Sequence, residues 1–141
     1  MQEDLISFET AKLAKEKKFN IPCENFYIEY IDDDVADLFN YEEQRGSGYA
    51  ELYRNNQEFK YSASTQSLLQ KWLREVYKID CFPEHVFLGE SANIKYKPLI
   101  TTGIDDIDSE KYCNYSFGNV YDTYEQAFEF GLQEALKLIN N

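Results

Sequence analysis

The residue types that most often carry out chemistry are few and widely spaced in this chain. It has three cysteines, Cys23, Cys81 and Cys113, and a single histidine, His85. These four side chains could bind one zinc ion, but structural zinc sites use close pairs such as C-x2-C, and the sequence has none. Cys81 and His85 are separated by Pro83, which breaks any helix that would align a thiol nucleophile with a histidine base. The sequence therefore predicts no metal site and no catalytic residue.

An acidic segment at 32–37 has part of the spacing of a calcium-binding loop. Asp32 and Asp34, with Glu43 further on, match positions 1, 3 and 12 of an EF-hand. Position 5 is Ala36, which has no side-chain oxygen, and position 6 is not the glycine that the loop requires. We interpret the segment as a solvated turn.

A second acidic cluster, at 105–110, receives the same interpretation, and cation binding by either cluster is left open.

The six glycines form neither G-x-x-x-x-G-K nor G-x-G-x-x-G, the two commonest phosphate-binding patterns. No cofactor is therefore predicted.

The charge of the chain bears on its partners. The 141 residues have a formal net charge of −12. Nucleic-acid binding requires positive charge that displaces phosphate counterions, so direct binding to DNA or RNA is disfavoured. One stretch, 62–80, is not acidic, and it contains residue types that contact phosphates and bases: Gln66, Gln70, Lys71, Arg74 and Lys78. We interpret these residues as an exposed helix face.

Hydrophobic periodicity predicts three main helices, at about 7–18, 65–78 and 123–139. Ser7 and Thr123 are suitable N-caps for the first and the last helix. The middle helix has one apolar stripe, predicted to face the core, that consists of Leu68, Leu69, Trp72, Leu73 and Val76. Gly131 lies inside the last helix, where it is unfavourable unless another element packs closely against it.

Aromatic and β-branched runs predict the strands. We expect a strand at 25–31, a hairpin of 49–54 with 58–63, a second hairpin of 85–90 with 93–101, and a strand at 112–121, while 35–44 is ambiguous. Pro98 predicts that the strand containing it lies at a sheet edge. The fold class is α+β with small antiparallel sheets, and the two later helices should pack on the second sheet.

The length fits one compact domain, 1–141, and the alternative is two small α/β lobes, 1–63 and 64–141. No apolar run approaches the length of about 20 residues that a membrane span needs. An odd number of widely spaced cysteines suits reduced thiols, so we expect a cytoplasmic protein.

Two stretches carry a resemblance to known proteins. They are SASTQSLLQKWLREVYKID, followed by HVF, and YDTYEQAFEFGLQEALKLI; the opening ISFETAKLAKEKKFN agrees with them. In these stretches the chain resembles a group of small uncharacterised proteins encoded by phages and prophage-like elements of gut bacteria. The resemblance implies an accessory protein of a mobile element, and it brings no activity, ligand or site residue.

Three functional hypotheses follow. The first is a non-enzymatic module that binds another protein, since catalytic constellations are absent and tyrosine, with 12 residues, is abundant. The second is an acidic DNA mimic that inhibits a DNA-binding enzyme, which would need carboxylates in rows on one face. The third is an enzyme of unrecognised type, which would need a deep pocket with convergent polar groups. The partner and the oligomeric state are left open.

Overall fold

In the residues that it describes, the computed structural model has three helices and two three-stranded antiparallel sheets, which confirms the predicted α+β class. The chain divides into two compact units, Met1–Thr65 and Gln66–Asn141. The residues described are 3–30, 36–40, 55–87, 94–105, 110 and 112–140. Among them, no helix is both long enough and apolar enough to span a membrane.

The described residues of the first unit form one helix and one sheet. Its elements are α1 (Phe8–Glu16), β1 (Asn25–Glu29), β2 (Ala36–Asn40) and β3 (Lys60–Ser62). The sheet order is β2-β1-β3, and both pairings are antiparallel. The ambiguous stretch 35–44 thus contains a strand. The predicted strand 49–54 and most of the EF-hand-like spacing lie outside the described residues.

Helix α1 has defined caps at both ends. The Oγ of Ser7 accepts a hydrogen bond from the backbone N–H of Thr10 at 3.3 Å, as expected of an N-cap. At the other end, the N–H of Phe19 donates to the carbonyl of Ala14, and the N–H of Lys18 donates to that of Lys15, both at 3.0 Å. These two bonds form a Schellman motif in which Lys18 has a φ of 70°.

The first core lies between α1 and the sheet. The ring of Phe8 makes edge contacts with Tyr27 and Tyr61, with centroid distances of 5.6 and 5.4 Å. Ala14 and Phe26 are buried. The predicted packing of the first helix on the strands of residues 25–63 is therefore confirmed.

The described residues of the second unit form two helices and a longer sheet. Its elements are α2 (Gln66–Tyr77), β4 (Ile79–Phe87), β5 (Ile94–Thr102), β6 (Cys113–Ser116) and α3 (Tyr124–Lys137). The order is β4-β5-β6, again antiparallel. Helix α2 packs on β4, and α3 packs on β4 and β5, so the predicted packing of both helices on the second sheet is also confirmed.

The prediction that Pro98 marks an edge strand is wrong, since β5 is the central strand. Pro98 lies opposite Pro83 of β4, at a position where neither residue has to donate to the other strand. On its other side, Tyr96 exchanges backbone hydrogen bonds with Tyr121, while β6 begins its pairing with β5 only at Leu99. The proline nitrogen therefore faces a gap in the ladder.

Gly131 brings α3 close to the sheet. A Cβ built at Gly131 would lie 2.7 Å from the Sγ of Cys81 and 2.9 Å from the Cβ of Pro98. Neither distance is possible without movement of the neighbours, so only glycine fits here. This confirms the prediction that another element packs closely against Gly131.

The apolar stripe of α2 was predicted correctly in its middle but not at its ends, since Leu68 is only half-buried. Leu69, Trp72 and Leu73 are buried, and Trp72 also makes an edge contact with the ring of Tyr77. Val76 is 55% exposed, so its assignment to the core face was wrong. The reason is that α2 ends at Tyr77, one residue after Val76, and the chain then turns away into β4.

Candidate functional site

The candidate site lies on the face of the second sheet that the helices cover only in part. Side chains alternate between the two faces of a strand, so every second residue of β4 points toward α3. Along this face of β4, Cys81 and Pro83 are buried, but His85 and Phe87 are exposed. On β5, Pro98 and Ile100 are buried. The same face therefore changes from core to surface along the hairpin.

The lengths of the elements explain this change. Helix α3 has 14 residues and is about 21 Å long, whereas β4 has 9 residues and spans about 30 Å. A helix that covers the inner part of the strand cannot also cover its outer end.

We call the uncovered part the outer hairpin surface and define it by His85, Phe87, Ile94, Tyr96 and Tyr124. Phe87 is 76% exposed and lies directly opposite Ile94, which is 45% exposed. Phe87 is the most exposed of the large apolar residues that the structure describes. A pair of apolar side chains in this position adds to the water-accessible area without contributing to the core.

Aromatic contacts connect this surface to the core. The ring of Tyr96 lies 5.2 Å from that of His85 and 5.9 Å from that of Tyr124, measured between centroids. Tyr124 in turn makes an edge contact with the buried Phe128 at 5.7 Å. Burial, with a contribution from Cys81 and Glu125, raises the pKa of Tyr124. Its phenol therefore stays protonated and able to donate a hydrogen bond.

The backbone of β4 adds a second property, since β4 is an edge strand of the sheet that the described residues form. The register places the backbone groups of residues 81, 83, 85 and 87 toward the free edge, because neither Pro83 nor Pro98 can donate across the ladder. The N–H of Tyr96 donates to Tyr121 and hence away from β4, which agrees with this register.

The inner half of this edge is closed by local groups. The N–H of Cys81 donates to the carboxylate of Asp80 at 3.0 Å, and the carbonyl of Cys81 accepts from the side chain of Gln70 at 2.6 Å. Pro83 has no N–H to offer. In the outer half, the outward N–H and carbonyl groups of His85 and Phe87 have no backbone hydrogen-bond partner among the described residues.

A separate cleft lies at the opposite end of the second unit. Its volume is about 580 Å³. Polar, aromatic and apolar side chains from both ends of the unit's sequence line it: Tyr77, Lys78, Ile79, Thr102, Gly103, Asp105, Glu110, Cys113, Tyr115, Leu138, Ile139 and Asn140. This size is within the range of small-molecule sites. Two carboxylates, two phenols and an apolar floor could hold a cationic or aromatic molecule.

The cysteines and the histidine that were considered as metal ligands or as a catalytic dyad, and rejected, do not lie together in the second unit. Cys81 and His85 are separated by about 13 Å along β4. Cys113 and His85 pair with positions of β5 that are about 20 Å apart. Among the described residues, no group of three or more His, Cys, Asp or Glu side chains could hold a metal ion.

The thiols differ in their surroundings. Cys113 is exposed and lines the cleft, whereas Cys23 and Cys81 are buried. Burial raises the pKa of Cys23 to about 11, and it raises that of Cys81 further. Both buried thiols are therefore unreactive at neutral pH.

The basic face of α2 is paired within its own unit. Lys71 lies 4.0 Å from Glu75, Arg74 lies 3.7 Å from Asp80, and the Nζ of Lys78 donates to the carbonyl of Glu75. The two glutamines also have partners, since Gln66 donates to α3 and Gln70 to β4. These contacts support a structural role for this face. Lys71 and Lys78 are exposed as predicted, but Gln66 is buried, so the prediction of an exposed face is wrong at Gln66.

The outer hairpin surface was not identified from the sequence. The run HVF has the alternation of an ordinary half-buried strand, and nothing in it indicates where the covering helix ends. The available signal was the placement of Phe87 and Ile94 on either side of a predicted turn.

In comparisons with known proteins, no family model, curated protein or solved structure matches this chain.

Proposed function

We propose that this protein acts by binding another protein, and that the outer hairpin surface is part of the contact. The observation that carries the proposal is the exposure of Phe87 directly opposite the exposed Ile94. Large aromatic side chains are enriched in protein interfaces and depleted on other surfaces. The rings of Tyr96 and Tyr124 provide a rigid support for such a contact, since they connect the surface to the core.

The resemblance to proteins of phages and prophage-like elements suggests the setting. In that setting the protein is a cytoplasmic accessory protein of a mobile element, and its partner is a protein of the element or of the host cell. This part of the proposal rests on sequence alone.

Co-purification from the native cells tests the proposed function. A tagged wild-type chain is compared with a Phe87→Ser/Ile94→Ser variant and with a Val76→Ser control, since Val76 is also an exposed apolar residue but is not part of the outer hairpin surface. We expect one protein to be recovered with the wild type and with the control, but not with the double variant. Recovery that is equal in all three would show that the contact lies elsewhere.

A second candidate function is catalysis or small-ligand binding in the cleft, and the position of Asp105 and Glu110 at its wall favours it. A Glu110→Gln variant distinguishes the two candidates. If this variant loses a measurable turnover while Phe87→Ser keeps it, the cleft is the functional site.

DNA mimicry has less support. A mimic needs unpaired carboxylates in rows, but four carboxylates of the second unit lie in ion pairs with lysine or arginine, namely Glu75, Asp80, Asp122 and Glu134. Such pairs reduce the negative field that a basic groove would recognise.

A further inference from the structure

We infer that the partner binds as an extended, basic segment that adds a strand to the free edge of β4 at His85 and Phe87. This inference rests on the proposed function and specifies how the same surface recognises its partner. Exposed strand edges recognise extended peptides through backbone hydrogen bonds, while pockets for alternate side chains give specificity.

Among the described residues, the edge of β4 is unpaired where the apolar surface lies. Cys81 has its N–H and carbonyl bonded to Asp80 and Gln70, and Pro83 cannot donate, so neither residue offers a backbone N–H to an added strand. His85 and Phe87 both direct their N–H and carbonyl groups outward, which offers up to four hydrogen bonds to an added strand. The open backbone and the exposed Phe87 thus coincide.

The side chains define what the added strand should contain. On the face of Phe87 and Ile94, the strand would place apolar side chains against these two residues. On the opposite face lies Glu84, which has Lys97 across the ladder on one side and the free edge on the other. A lysine or arginine of the added strand beside Glu84 would form a cross-strand ion pair.

The net charge argues against a second copy of this chain as the occupant. Two chains that paired edge to edge would each carry −12, and the repulsion would oppose association. The same charge attracts a basic segment and increases its rate of encounter. An extended segment with alternating apolar and basic residues therefore fits both the strand edge and the negative charge of the protein.

The test uses the full chain, labelled with ¹⁵N, and an eight-residue peptide of alternating valine and lysine with blocked termini. Titration followed by NMR gives the affinity and shows which amides shift. We expect shifts at His85 and Phe87, and no binding by the same peptide with alternate backbone nitrogens methylated. We also expect weaker binding by a valine and glutamate peptide, and a reversal of this preference in Glu84→Lys.

A pair of variants separates backbone from side chain. His85→Pro removes one outward N–H at a position where the ladder does not need it, and His85→Ala keeps that N–H. We expect His85→Pro to bind roughly two- to tenfold more weakly than His85→Ala, since both variants lack the ring and only the proline variant lacks the N–H, with circular dichroism confirming that both variants fold.

Two results would overturn the inference. One is the absence of any binding by the valine and lysine peptide. The other is that the methylated peptide binds as tightly as the unmethylated one, and that only Phe87→Ser lowers the affinity. This result would exclude strand addition but would still leave a protein-binding surface. Failure of the proposed function would instead appear as partner recovery that does not depend on Phe87.

Discussion

The Sγ of Cys81 and the Cα of Gly131 are so close that a Cβ on Gly131 would lie 2.7 Å from the sulfur. This contact fixes the depth at which α3 lies on the second sheet. It also fixes the position of Tyr124 at the start of the same helix, and hence the support for the outer hairpin surface.

Replacement of Gly131 by alanine should therefore destabilise the protein. Alanine improves helix propensity by about 1 kcal/mol, but the overlap with Cys81 and Pro98 should outweigh this, with a net loss of about 1–3 kcal/mol. The measurement is the free energy of unfolding in urea. Gly118→Ala is the matched control, since nothing lies within 4 Å of a Cβ there, and it should have little effect. Equal stability of both variants would contradict the close packing.

Truncation of Trp72 tests the assignment of the buried face of α2. Trp72 is only 6% exposed, so Trp72→Ala should cost about 3–5 kcal/mol. Val76→Ala, one turn later on the exposed side, should change stability by less than about 0.5 kcal/mol. Thermal or chemical unfolding of both variants measures the difference. If Trp72→Ala keeps full stability but loses the partner, the face has been assigned wrongly.

The C-terminus of α1 offers a stabilising substitution. Lys18 has a φ of 70°, a region in which a side chain is strained and glycine is not. Lys18→Gly should therefore stabilise the protein by about 1 kcal/mol while keeping the Schellman motif. Lys17→Gly, at a φ of −90°, should be neutral or destabilising. A lower stability of Lys18→Gly in urea unfolding would argue against the left-handed conformation.

The buried thiol of Cys23 predicts a pH dependence. Its pKa is raised from the ordinary value of 9.0 to about 11, because burial disfavours the thiolate. The folded state therefore holds the proton more tightly than the unfolded state, so this contribution is fully present below pH 9 and is lost between pH 9 and 11. The loss should be about 2 kcal/mol at most.

Comparison with Cys23→Ala isolates this effect from other groups that titrate at high pH. Unfolding in urea at pH 8, 9, 10 and 11 should show a steeper decline for the wild type than for the variant. Parallel declines in the two proteins would mean that Cys23 titrates normally.

Local sequence signals predicted the helices and their caps well, because those signals act within one or two turns. Ser7 and Thr123 are N-caps as expected, and the role of Gly131 followed from its cost inside a helix. The position of Pro98 in the central strand was not predictable in the same way. It depends on the register with β4 and on the gap beside it, and both are set by distant residues.

The start of β4 was missed for a related reason. The alternation of buried and more exposed residues in IDCFPE is regular, but Pro83 argues against a strand when its partner is unknown. The outer hairpin surface could not be predicted because its exposure depends on the relative lengths of β4 and α3. No residue within the hairpin encodes where α3 begins to cover it.

The most direct test of the central claim is the affinity of the co-purified partner for three purified chains: wild type, Phe87→Ser and Val76→Ser. Loss of a central aromatic contact should weaken binding at least about tenfold in Phe87→Ser and leave Val76→Ser unchanged. Equal affinity of Phe87→Ser and the wild type would contradict the claim that the outer hairpin surface binds the partner.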